Sequence, residues 1–246
     1  AFCAAALRSE RHRVYALIAV IALVVLPVAL ISATRVTEAR IKFVAALAGA
    51  FLLVVQCASL VVVRWAQRRD RAIPFSWNAA TVMVECSVPT AVMLSHIQLG
   101  TLAPYAALSS PPLLGFPLLI GLTTLRLRPA LCILAGLVSA AGYGLLLAFV
   151  ASHGEGRQTT TGIPFAGYVV TPFLLLTCGI AAAWVAREIR GHVEAALGEA
   201  ETKRQMERIE QDLAVARSIQ QALLPREAPS IAGYEIAGWN RPADQT

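Results

Sequence analysis

Charge is what this 246-residue chain lacks most: 15% of it is Asp, Glu, Lys or Arg, against about 25% in soluble domains. That deficit excludes an ordinary water-facing surface. Hydrophobic residues make up 57% and the mean hydropathy is +0.63, so membrane spans are the first thing to look for. Paired cysteines are also lacking. Cys3, Cys57, Cys86, Cys132 and Cys178 form no CxxC, and four of them lie in apolar runs, which argues against a disulfide framework or zinc site and for small buried hydrophobes. No Lys or Arg falls inside an apolar run, and no inverted repeat is visible, which tells against a transporter. The segment His153-Gly154-Glu155-Gly156-Arg157 lacks the Gly-Lys-Ser/Thr of a phosphate loop and reads as a turn. The net charge of +6 does not point to nucleic acid, because the arginines sit at the ends of apolar runs.

What is there is six apolar runs, at about residues 14–33, 43–63, 78–98, 101–125, 130–151 and 164–186. About 20 helical residues at 1.5 Å each cross a hydrocarbon core of roughly 30 Å. The first run follows arginines, as a secretory signal does, but it is long for one and five more follow, so it reads as a retained helix. Arginine placement sets the orientation. Eleven basic residues (Arg8, Arg11, Arg13, Arg64, Arg68, Arg69, Arg71, Arg126, Arg128, Arg187 and Arg190) fall on one side, and four (Arg35, Arg40, Lys42 and Arg157) on the other. The richer side is the cytoplasmic one by the positive-inside bias, which puts both termini in the cytoplasm of a multi-pass protein of the cell (inner) membrane.

One acidic residue, Glu85, falls within a run. A carboxylate there must be neutral or partnered. Pro89, four residues on, frees the carbonyl of Glu85 itself. The turn is therefore either a ligand or proton site or a protonated Glu bonded to a neighbouring hydroxyl. His96 lies on nearly the same face, roughly 16 Å further along the axis, and reads as an interfacial histidine. In the fourth run Ser109-Ser110-Pro111-Pro112 breaks or kinks the helix, and irregular backbone at membrane depth survives only against protein or a wet cavity. Glu85, Pro89, His96, Pro111 and Pro112 are thus candidates for intramembrane sensing, in a small cavity between the third and fourth spans. Gly136, Ala140 and Gly144 place small residues on one face of the fifth run, a pattern that permits close helix packing.

After residue 186 the composition changes to Ala, Leu, Glu, Gln and Arg, with no proline until Pro225. This predicts a cytoplasmic helix over residues 187–224. Met206, Ile209, Leu213, Ala216, Gln220 and Leu223 alternate steps of three and four, an a/d seam that fits a parallel homodimer; the alternative is a helix packed on its own next domain. Val193, Leu197 and Ala200 are out of that register. Pro225 ends the helix, and the alternation from Tyr234 to Trp239 predicts a strand. The 22 residues after Leu224 cannot bury a core alone, so the sequence is expected to be a piece of a longer chain whose next domain they open.

The run Asp212-Leu213-Ala214-Val215-Ala216-Arg217-Ser218-Ile219-Gln220-Gln221-Ala222-Leu223-Leu224-Pro225, with Gly233-Tyr234-Glu235-Ile236-Ala237 and Arg241-Pro242-Ala243, resembles the entry to the catalytic domain of SpoIIE/RsbU-type PPM serine/threonine phosphatases. The resemblance covers about residues 205–246. With the apolar runs and the polar helix, the chain is expected to be an all-α membrane protein with a six-helix transmembrane bundle (residues 1–186) and a coiled-coil signalling linker (187–224), followed, as the resemblance implies, by the first strand of an incomplete α/β PPM domain (225–246). The implied activity is hydrolysis of phosphoserine or phosphothreonine by water activated on a Mn2+ or Mg2+ pair, with a phosphorylated regulatory protein, typically an anti-sigma-factor antagonist, as substrate. The family's Gly-Gly-Asp is not among these residues, so no catalytic residue and no metal ligand is assigned, and Asp244 is not one. The family's linker role carries over to Leu213, Ala216, Arg217, Ile219, Gln220, Leu223, Leu224 and Pro225. Rival outputs are a cyclase, a kinase, for which His192 lacks a His-Glu-x-Arg setting, or a transporter or channel with an incidental tail.

Overall fold

The computed structural model describes residues 2–30, 36–69, 71–153, 164–223 and 233. All secondary structure among them is helical: α1 (Phe2–Leu30), α2 (Val36–Arg68), α3 (Phe75–Gln98), α4 (Pro104–Leu108), α5 (Gly115–Thr123), α6 (Pro129–His153) and α7 (Phe165–Leu223), with 3-10 turns at Pro111–Leu114 and Thr124–Arg126. Five stretches are long and apolar enough to cross a membrane: Ala39–Arg68, Phe75–Gln98, Pro104–Arg126, Pro129–His153 and one within Phe165–Gln220. These are the second to sixth predicted spans. The first predicted span lies largely on α1, which already begins at Phe2, so Arg8, Arg11 and Arg13 stand on the helix rather than ahead of it.

The prolines of the fourth span act as expected. Pro104 opens α4, Pro111 and Pro112 open a 3-10 turn, and α5 resumes at Gly115, so one span is built from three short pieces. Proline supplies no amide hydrogen and is tolerated in a first turn, and here each break coincides with one. Pro89, by contrast, lies inside an unbroken α3. Its ring packs on Gly115, where an added Cβ would approach the ring Cγ to 3.3 Å.

The chain forms two compact units, Ala1–Val193 and Glu194–Thr246. In the first, α1 packs along α2, and α3 along α2 and α6. The helices are turned inside out relative to a soluble bundle. Phe43, Leu47, Val54, Leu145, Phe173 and Trp184 are exposed, while Glu10, Arg13, Gln56, Glu85 and Arg126 are buried. Such an apolar exterior is stable only against lipid or protein. The buried stripe of α3 is Asn78, Thr81, Val82, Glu85, Cys86, Pro89, Met93 and His96, which carries both of the helix's titratable polar groups, Glu85 and His96, to the interior. In the second unit α7 is helical, and its described side chains are exposed apart from the half-buried Leu197. Gly233 has φ +90° in a turn. The predicted strand at residues 234–238, together with Leu224 and Pro225, lies outside the described residues.

Of the small-residue stripe on α6, Gly136 makes the close approach. An added Cβ would lie 2.8 Å from Cα of Gly179 on α7, whereas at Gly144 it would meet nothing within 4 Å. Gly136→Ala should therefore force the two backbones apart and cost about 1–3 kcal/mol. Gly144→Ala should be neutral. Thermal unfolding of both variants in detergent checks the contrast, and equal melting temperatures would contradict the crossing.

Candidate functional site: a buried ring of alternating charge

Two glutamates and two arginines meet inside the first unit. Glu10 and Arg13 stand one turn apart on α1, so both point from the same helix face. Arg13 donates Nε and Nη2 to Oε1 of Glu10, at 3.1 and 2.9 Å, and Nη1 to both oxygens of Glu85 on α3, at 3.2 and 3.1 Å. Arg126, at the end of the 3-10 turn after α5, donates Nη2 to Glu85 Oε2 at 3.4 Å and holds its Nε 3.7 Å from Glu10 Oε1. Each carboxylate thus faces both guanidiniums, and the four charges sum to zero.

Neutral groups complete the ring. Gln56 on α2 donates its amide to Glu85 Oε1 at 2.8 Å. Arg126 Nη1 donates to the Asn78 carbonyl at 2.7 Å and the Thr81 hydroxyl oxygen at 2.9 Å. The position of Arg126 is fixed by Leu127, the only non-glycine residue among those described with a positive φ, +55°. A leucine in the left-handed region is strained by roughly 1–2 kcal/mol. Its buried side chain holds the turn that sends Arg126 into the bundle, while Arg128 donates Nη2 to the Ile73 carbonyl at 3.3 Å.

An ionised group in an apolar bundle is tolerated only when paired and hydrogen-bonded. Arg13 and Glu85 have side chains 1% and 2% exposed, and their bidentate contact answers the question posed by an acid in an apolar run: Glu85 is partnered. Glu10 is partnered in the same way, by Arg13 at 2.9 Å and Arg126 at 3.7 Å.

The other sequence candidates stand apart from this ring. His96 is buried at the far end of α3, its Nδ1 2.9 Å from the Thr101 hydroxyl. Pro111 is exposed and Pro112 half-buried in their 3-10 turn. His192 is exposed, with Nε2 3.3 Å from Glu188 on the preceding turn. On α7, Leu213, Ala216, Arg217, Ile219 and Gln220 are exposed. A cleft of about 500 Å³ opens beside the ring, lined by Glu10, Asn78 and Arg126 among others; Glu85, Pro89, His96, Pro111 and Pro112 are not part of its wall. Sequence reasoning missed Glu10, Arg13, Gln56 and Arg126 as site residues. The lone amide of Gln56 within an apolar run was the available signal.

Comparison with protein-family models, curated proteins and solved structures finds no match for this chain.

Glu10→Gln would leave Arg13 and Arg126 facing one carboxylate between them and should cost about 3–5 kcal/mol at neutral pH, the range for breaking a buried pair. Unfolding in detergent reads this out, and a loss under about 1 kcal/mol would contradict it.

Proposed function

We propose that this chain is the membrane-sensing part of a bacterial signalling protein that controls a metal-dependent phosphoserine/phosphothreonine phosphatase of the PPM type. In this reading α1 is a sixth span, both termini are cytoplasmic, and the bundle responds to a stimulus. The observation that carries the proposal is α7. One helix, Phe165–Leu223, holds the last apolar span and then runs on as a polar helix. Its seam residues Met206, Ile209 and Leu213 are 63%, 55% and 43% exposed, as expected of a helix that pairs with a second copy. Of the residues that resemble the phosphatase linker, Leu213 through Leu223 lie at the end of this same helix, where a change in pairing register would reach the domain that follows. A phosphorylated regulatory protein is the proposed substrate, and Mn2+ or Mg2+ the proposed cofactor of that following domain.

The buried charge ring favours a second reading, because ionised groups inside a bundle also serve ion- or proton-coupled carriers. Uptake of solute by liposomes holding the protein would support the carrier.

The signalling reading is tested on the full-length protein. A one-residue insertion near Met206 rotates the following helix by about 100° and should change manganese-dependent release of phosphate from a phosphoserine protein by about tenfold or more. A seven-residue insertion restores the heptad phase and should leave the rate within about twofold of wild type. No manganese-dependent phosphatase activity, or equal rates for both insertions, would overturn it.

A further inference from the structure

We propose that the cleft beside the charge ring binds the phosphate group of an anionic phospholipid. Three observations carry this. The first is charge. Glu10 and Arg126 reach the cleft as members of the neutral ring, and Arg128 and Arg190 add two further cations to its described wall with no further acid. Arg126 is itself buried, 4% exposed, and its Nε has no hydrogen-bond partner. The second is position. The cleft wall includes Phe75, which begins α3, and Pro129, which begins α6, so the positive ends of two helix dipoles open there. The N-terminus of α3 has no side-chain cap. The third is the remaining wall, formed by Leu7, Ile73, Phe75 and Leu127.

A free phosphate ion needs only the first two features. The apolar wall adds a surface for acyl chains, and a volume of about 500 Å³ exceeds what an inorganic anion fills. The cleft also lies where three apolar spans end or begin, at Phe75, Arg126 and Pro129, which is the depth of lipid headgroups. On the orientation proposed above it faces the cytoplasmic leaflet, where basic clefts between spans recruit acidic lipids. Arg190 belongs to the segment of α7 inside the first unit, so a headgroup held by Arg190 and Arg128 would bridge α7 to the start of α6.

The test uses the whole chain in phosphatidylcholine nanodiscs, with phosphatidylglycerol added stepwise and retained lipid counted by native mass spectrometry. One phosphatidylglycerol should be held in preference to phosphatidylcholine. Arg128→Gln and Arg190→Gln lie outside the charge ring and should each weaken retention of phosphatidylglycerol about fivefold, with retention of phosphatidylcholine unchanged. A conservative Arg128→Lys should keep most of the binding. Equal retention of the two lipids, or full retention by the double Gln variant, would overturn the proposal. Displacement of phosphatidylglycerol by an equal concentration of inorganic phosphate would also overturn it, by making the site one for a free anion. None of these outcomes depends on phosphatase activity, so the lipid site and the signalling reading fail separately.

Discussion

Everything in the first unit is arranged around the cost of placing Glu85 away from water. An isolated carboxylate in an apolar medium is prohibitively unstable, and one guanidinium alone would leave a second arginine unbalanced nearby. The closed alternation of Glu10, Arg13, Glu85 and Arg126 removes both problems, with every charge facing two of opposite sign. Because its members come from α1, α3 and the turn after α5, with Gln56 joining from α2, the ring also dictates which helices are neighbours. Apolar packing between membrane helices is weakly specific, since lipid tails are as apolar as leucine. The polar contacts supply the register that such packing lacks.

The strained turn at Leu127 follows from the same constraint. Arg126 must enter the bundle while Arg128, two residues on, bonds to the Ile73 carbonyl. A left-handed residue between them reverses the chain in the shortest distance. The broken fourth span follows a similar logic at the other end of α5, where Gly115 admits the ring of Pro89.

Much of this was legible in the sequence because it is encoded locally. Hydropathy located five spans that the structure contains, proline spacing announced the break between α4 and α5, and the composition change after residue 186 marked the polar stretch of α7. The ring was half legible. Glu85 stood out as the lone acid in an apolar run, with partnering as one of two expectations. Its partners did not stand out, because Arg13 lies 72 residues away and Arg126 lies 41 away, and both look like ordinary membrane-flanking arginines. No local pattern distinguishes an arginine that meets headgroups from one that turns inward. The cleft was not legible for the same reason, as its wall is assembled from α1, α3, α6 and α7. The expected sensing cavity was placed from Glu85, His96 and the prolines of the third and fourth spans, whereas Glu85 is taken up by the ring and Pro89 is packed on Gly115.

The central claim is that the ring acts as a unit, and a double-mutant cycle between Arg13 and Glu85 tests it most directly. Arg13→Met, Glu85→Met and the pair would be compared by unfolding in a detergent or bicelle. The account predicts that each single change costs about 3–5 kcal/mol, because each leaves a buried charge unbalanced, and that the double change costs less than the sum by at least about 2 kcal/mol. Additive losses would show that the two residues stabilise the fold independently, and the ring would then be a coincidence of position.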